Sequence, residues 1–327
     1  MSVPLQIVMT PVRNEAWVLR AFLEATSLWA DYIIIADQMS TDGSREIARE
    51  YAKVVLIDNN TLEFNEPERQ ALLIKKAREV AAGRDTLLWG LDADEILSAN
   101  FRKTADWEHI IHSVPGDVFW FKWAVLNPDK KDYYLSGFYP WLFHDDGKEP
   151  HGNYVRNMHS MRIPYPIEEK QMYYVNDFRV LHLACLNQHR VASKHRFYQF
   201  VDWELNHRHP VTLFRSYANT NQNGQVYALP DAFLYDKDTD GFDLLDLVDT
   251  EASRCYMDDY IVERMSRHFL RDLRKLAIWD VEFLSGYQLK DPRRFIDRCI
   301  HEYLDKTSVI CDSFGIRLTD KIIKLLY

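Results

Sequence analysis

The sequence predicts an α/β fold: a mostly parallel sheet flanked by helices, with a helical C-terminal extension. Three observations predict it. Short apolar, β-branched runs alternate with amphipathic runs between residues 5 and 97. The connections between them are short, as in βαβ units. Several of the strand candidates end in polar clusters, and the carboxyl ends of parallel strands are where ligands bind.

The elements follow in order. "LQIVMT" (5–10) is a short apolar strand. "NEAWVLRAFLEATSLWA" (14–30) puts Val18, Phe22, Ala25 and Trp29 on one helical face. "YIIIAD" (32–37) is a β-branched strand, and "SREIAREYA" (44–52) is a short helix with Ser44 as a cap candidate. "VVLID" (54–58) is a third strand. "PERQALLIKKAREVAA" (67–82) opens with Pro at the first helical position. "TLLWGL" (86–91) is a fourth strand. "DVFWFKWAVL" (117–126) is strongly β-prone, and 127–165, rich in aromatics, His, Pro and Gly, reads as strands and loops. After Val201 the chain turns helical over 254–284, 291–305 and 318–327. This pattern sets a soft boundary near residue 200, giving domains 1–200 and 201–327.

The chain has 327 residues, room for one large domain or two ordinary ones. With 47% hydrophobic residues, a packed core is expected rather than disorder. The formal charge of −9 argues against a nucleic-acid partner, which needs a basic face. Cys185, Cys255, Cys299 and Cys311 show no zinc spacing and read as reduced thiols. No secretion signal and no spanning run is apparent. The expectation is a cytoplasmic protein, with peripheral membrane contact and homo-oligomerisation left open.

"LLWGLDADEIL" (87–97) sets an apolar run against Asp92, Asp94 and Glu95. Burying unpaired carboxylates is costly, so these acids either surface at the strand's end or hold something positive. Two carboxylates separated by the small Ala93 can face one Mg²⁺ or Mn²⁺, whose remaining ligands are phosphate oxygens and water. The alternative is a solvated polar turn. The context is "TPVRNEAW" (10–17) and "ADQMSTDGS" (36–44), the ends of the first two strands. In a parallel sheet all three polar clusters meet in one crevice.

In "PVRNEA", "DQMSTDGS" and "LLWGLDADE", in that order and spacing, the chain resembles the family 2 glycosyltransferases with the GT-A fold, a Rossmann-like architecture. The resemblance implies a nucleotide-sugar donor, a UDP-sugar by preference, and a divalent metal cofactor. It implies that Pro11, Arg13 and Glu15 line the base and ribose, that Asp37 bonds the base, and that Arg69 lies near the nucleotide. It implies that Asp92 touches the ribose or the metal's water shell, and that Asp94 ligates the metal. Asp42 serves equally as a helix cap, and Asn14 and Glu15 as a helix start.

"VLHLACLNQHRVASKHRFYQF" (180–200) carries His182, Arg190, Lys194 and Arg196. By the same resemblance His182 completes the metal site or meets the diphosphate, and Lys194, Arg196 and Tyr198 stabilise the leaving nucleotide or bind acceptor. A core histidine and a solvated helix face are the alternatives. Transfer needs fixed cations for the leaving diphosphate and a base for the acceptor hydroxyl. The resemblance implies single-displacement inversion. Where that family commonly has a middle-region acid, "RNMHSMRIP" (156–164) has His159 followed by Ser160. His159 is therefore the first base candidate, followed by Asp145 and Asp146, with Glu168 and Glu169 behind.

"DKDTDGFDLLDL" (236–247) opens like a calcium loop but has Leu247 where the bidentate Glu belongs, so an acidic turn is expected. The functional expectation is a metal-dependent inverting transferase acting on a carbohydrate or lipid-linked hydroxyl acceptor, in surface polysaccharide or glycoconjugate synthesis. The alternative is a catalytically inactive nucleotide-sugar binder or assembly subunit. A nucleotidyltransferase ranks last, for want of a Gly-rich phosphate loop.

Overall fold

The computed structural model describes residues 3–61, 63, 65–148, 160–163, 171–217, 225–251, 255–308, 310–311 and 313–327. The elements in chain order are β1 (Leu5–Val12), α1 (Ala16–Ser27), β2 (Tyr32–Asp37), α2 (Ser44–Arg49), β3 (Val54–Asp58), α3 (Glu66–Ala81), β4 (Thr86–Gly90), β5 (Glu95–Leu97), α4 (Ala105–Ile111), β6 (Val118–Leu126), β7 (Asp132–His144) and β8 (Met172–His182). There follow α5 (Gln188–Asn206), α6 (Pro210–Tyr217), β9 (Val226–Ala228), α7 (Lys237–Asp240), α8 (Tyr256–Met265), α9 (Leu270–Leu273), α10 (Val281–Gly286), α11 (Phe295–Lys306) and α12 (Phe314–Leu326).

Two compact units result. The first comprises residues 1–187 and 225–251, the second 188–224 and 252–327. The sequence sets its boundary near residue 200. The units divide at 187/188, and α5 (Gln188–Asn206) falls wholly in the second unit. Residues 225–251 return to the first, where β9 pairs with β7.

In the first unit all nine described strands form one sheet, in the order β3-β2-β1-β4-β7-β6-β8-β5 with β9 beside β7. The strands from β3 to β4 are parallel. β7 runs antiparallel to β4 and β6, and β5 antiparallel to β8. Alternation along each strand sends Ile7, Met9, Ile34, Ala36 and Leu88 into a core with Leu73, Ile74 and Ala77 of α3. On the other face Trp29, Trp89, Phe101 and Trp107 form an aromatic cluster, and the Trp89 indole N–H donates to Gln6 at 2.8 Å. Both faces being covered explains why the first four strands read as nearly continuous apolar runs.

The 236–247 stretch is a capped turn. The Asp236 carboxylate accepts from the Asp238 and Thr239 N–H groups at the start of α7, and Gly241 closes it with a φ of 90°.

The second unit is helical. The run 254–284, periodic throughout, is not one helix but α8, α9 and α10. Leu273, Leu276, Ile278 and Trp279 remain buried across the breaks, so the apolar pattern persists where the backbone turns. Asp280 then caps α10 by accepting from the Phe283 N–H at 2.9 Å. Arg196 is buried, with both Asp258 oxygens (2.9 and 2.7 Å) and Asp280 (2.7 Å) on its guanidinium. No helix among the described residues is long and apolar enough to cross a membrane.

Candidate functional site

β4 is a buried apolar strand that ends at Gly90, and just beyond it Asp92 and Asp94 are partly exposed on either side of the buried Ala93. The next three residues form β5, which pairs with β8 so that Glu95 lies opposite His182. This pairing carries a histidine from the far end of the sequence to the acidic tip. Asp94, Glu95 and His182 each offer a ligand atom within 4.8 Å of the others. His182 Nε2 lies 3.4 Å from Asp94 Oδ2, and its ring stacks on Trp123 with centroids 4.0 Å apart. The stacking fixes the imidazole plane. A backbone bond from the Leu183 N–H to the Asp94 carbonyl, 2.8 Å, ties the two segments together.

Glu95 is fully buried. Its Oε2 accepts from the Asp92 N–H at 2.9 Å and from Arg162, while Oε1 has no hydrogen-bond partner among the described residues. Burial pushes the Glu95 carboxyl up to about 8; Arg162 opposes this, and the charges of Asp92 and Asp94 add to it. Arg162 also reaches Asp92 Oδ2 at 2.7 Å. The short segment carrying it crosses the end of β4 so closely that a Cβ on Gly90 would stand 2.8 Å from Arg162 Cβ and 3.0 Å from its carbonyl oxygen. Gly90 is therefore required for that approach.

The donor set fits a hard divalent cation. It has two carboxylates and one imidazole, and a buried carboxylate oxygen with no other described partner lies among them.

The loops after β1 and β2 are laced together. The N–H groups of Asn14, Glu15 and Ala16 donate to Ser40 Oγ, Ser44 Oγ and Asp42 Oδ2, each at 2.9 Å. Asn14 Oδ1 in return accepts from the Thr41 N–H at 2.8 Å. Asp42 thus caps α1 across the loops while also accepting from Ser44 N–H and Oγ. Glu15 accepts from the Trp17 indole at 2.7 Å. Asp37, at the tip of β2, is 1% exposed; its Oδ2 accepts from Arg45 at 2.6 Å, and its Oδ1 has no described partner. Arg45 also holds Asp58 at 2.7 Å, at the neighbouring tip of β3.

The expected residues therefore fall into several places. Pro11, Arg13 and Glu15 follow or end β1, and Asp37 ends β2. Asp92 and Asp94 follow β4, and all of these lie on the carboxyl side of one parallel sheet. β2 and β4 are separated only by β1, about 10 Å apart at usual strand spacing. Arg69 lies in the first turns of α3, 3.9 Å from Glu66. Asp145 and Asp146 are elsewhere. The Asp145 N–H bonds Thr86, the first residue of β4, so both acids lie at the opposite end of that strand. Asp145 is bidentate with Arg78 at 3.0 and 2.9 Å, and Asp146 pairs with Lys148 at 3.1 Å. The sheet does not bring these two acids together with Asp94. Lys194 and Arg196 belong to the second unit, where Lys194 lies over the Tyr198 ring and Arg196 is held by Asp258 and Asp280. His159, Glu168 and Glu169 lie outside the described residues.

Two side chains at these tips were given no role from the sequence, Arg162 and Arg45. Arg45 had a local signal, a cation in the first turn after the Asp37 loop. Arg162 had none, because it meets Glu95 across a separation of 67 residues.

No curated protein sequence matches the chain. Among solved structures it is similar to glucosyl-3-phosphoglycerate synthase from Mycobacterium tuberculosis in complex with phosphoglyceric acid, at 16% identity over 38% of this chain and 44% of that one, TM-score 0.27. It has the same identity, coverage and TM-score against that synthase in complex with Mn²⁺, uridine diphosphate and phosphoglyceric acid. It is also similar to mannosyl-3-phosphoglycerate synthase from Rubrobacter xylanophilus, at 21% identity over 39% and 42%, TM-score 0.27. The chain thus spans less than half the length of these structures. Residues 7–106, less than half of this chain, run from β1 through the acidic tip into α4, and this segment matches the family model of glycosyl transferase family 2.

Proposed function

We propose that the chain is a divalent-metal-dependent glycosyltransferase that moves a sugar from a nucleotide-sugar, a UDP-sugar first among them, to a hydroxyl acceptor with inversion. One observation carries this reading: Asp94 and Glu95, inside the segment that matches family 2, converge with His182 just beyond the end of β4. Mg²⁺ or Mn²⁺ held there would offset the negative charge that gathers on the leaving diphosphate. The residues of the chain supply the rest. Asp37, at the tip of β2, would accept an N–H from the base. Arg13 and Glu15 flank the ribose from a loop that Asp42, Ser40 and Ser44 hold in place. Arg162 and Glu95 brace the Asp92–Asp94 tip from beneath, so that its carboxylates need little reorganisation during transfer. Of the base candidates we retain His159, since Asp145 and Asp146 are engaged at the far end of β4.

Calorimetric titration with UDP, with and without Mn²⁺, tests the reading. Binding should require the metal, and Asp94→Asn should weaken the metal-dependent binding at least tenfold. UDP affinity indifferent to both chelation and Asp94→Asn would sink it. The absence of an acid beside His159 keeps a non-catalytic nucleotide-sugar binder as the second reading. Release of UDP from a bound UDP-sugar by the purified chain would exclude that one.

A further inference from the structure

The helix α12 presents an apolar stripe to solvent. Phe314, Leu318, Ile322, Leu325 and Leu326 follow helical spacing along one side, and their exposures run from 49% at Leu318 and Ile322 to 85% at Leu325. The opposite side is the one that packs. Asp320 is buried against Arg215 (2.9 Å) and Tyr303 (2.9 Å), and Ile323 joins the core of Val211, Phe214, Ile300 and Leu304. α12 is thus anchored by its inner face while no described residue covers its apolar outer face, an arrangement that water disfavours.

Charge indicates what covers it. Arg317, Lys321 and Lys324 are exposed and lie along one border of the stripe, and none forms an ion pair with a described residue. The one acid of this helix, Asp320, points inward and is neutralised by Arg215. Apart from Thr319, the exposed side chains on the outer half of α12 are cationic or apolar, in a chain of net charge −9. A second copy docked by the same stripe would set these three cations against their own kind, with no exposed acid on the helix to meet them. An anionic lipid surface matches both features at once: acyl chains for the apolar side chains, headgroup phosphates and carboxylates for the cations. At about 1.5 Å per residue the helix offers roughly 20 Å of such surface.

We propose that α12 lies in the plane of an anionic bilayer surface and docks the chain there through Phe314, Leu318, Ile322, Leu325 and Leu326, with Arg317, Lys321 and Lys324 at headgroup level. The proposal does not depend on the transferase reading, since it concerns lipid affinity and not nucleotide binding.

Sedimentation of the full chain with vesicles tests it. Vesicles of phosphatidylcholine and phosphatidylserine at about 7:3 should retain the protein at least tenfold better than phosphatidylcholine alone, and rising salt should release it. Leu325→Ser with Leu326→Ser should lower vesicle binding about tenfold, and Lys321→Glu with Lys324→Glu should abolish the preference for the anionic lipid. All four side chains are exposed, so unchanged thermal unfolding of the variants checks that the fold is intact. Failure of the wild-type chain to bind anionic vesicles, or equal binding by both double variants, overturns the proposal. So does a concentration-dependent dimer in light scattering that Leu325→Ser with Leu326→Ser dissociates while vesicle binding persists.

Discussion

Arg162 shows how much of the site rests on single side chains. Its guanidinium spans Asp92 and the buried Glu95. Burial works against the Arg162 charge, but Asp92 and Glu95 outweigh it and raise its pKa. Measured above about pH 8, where Glu95 is ionised, Arg162→Ala should cost about 2–3 kcal/mol in urea unfolding, because it leaves a buried carboxylate without the cation that offsets it. Adding Glu95→Gln should recover part of that loss, since an amide needs no counter-charge; a double-mutant cycle reads the coupling directly. Additive losses would mean that the two side chains act separately. Asp37, Asp92 and Asp94 could be singled out from sequence because each sits in a short local pattern at a strand end. The proximity of His182 to Asp94 was foreshadowed only through family resemblance. The Glu95–Arg162 bond is invisible in one dimension: it depends on β5 pairing with β8 and on a glycine at the end of β4.

Among the elements, α1 is notable for a start that it does not supply itself. No side chain of its own N-terminal residue caps it, and Asp42 from the loop after β2 does so instead, 26 residues away. Asp42→Ala should therefore cost about 1–2 kcal/mol in thermal or chemical unfolding, the usual loss for a capping residue. It should also raise the dissociation constant for UDP, since the same bonds hold the loop carrying Arg13 and Glu15. Asp42→Asn should keep part of both. An unchanged UDP affinity in Asp42→Ala would separate the cap from the binding loop. The parallel strands were readable because both faces are covered and their apolar runs are continuous. The three-residue β5 and β9 are too short to show any period. The 13-residue β7 is interrupted in sequence by Gly137 and Pro140, and its register shifts against β6 at those interior positions.

For the molecule as a whole, the helical unit carries its own pH dependence. Burial pushes the His195 imidazole down to about 4, with Lys194 and Arg196 adding to the effect, and burial lowers His301 as well. The unfolded chain takes up these protons near pH 6.5 and the folded one does not, so the stabilisation is complete above about 6.5 and is lost as pH falls toward 4. His195 alone should account for on the order of 2 kcal/mol. Asp305, whose carboxyl is raised by partial desolvation, acts in the opposite sense. His195→Gln isolates the histidine: its unfolding midpoint should vary less than the wild type's between pH 6.5 and 4, and parallel profiles would assign the dependence elsewhere. The division between an α/β part and a helical part was readable from the change in periodicity. The path of the chain between them was not, because the return segment carries only β9 as a marker.

That return path has a practical consequence. β9 covers Asp132, Tyr133 and Tyr134 on an open side of β7. Truncation after residue 200 would strip away this guard strand and bare main-chain donors and acceptors beside two tyrosines, an invitation to self-association. In chain order, residues 188–224 of the helical unit interrupt the sheet unit, and residues 252–327 follow it. Any shortened form of the sheet unit would have to retain 225–251.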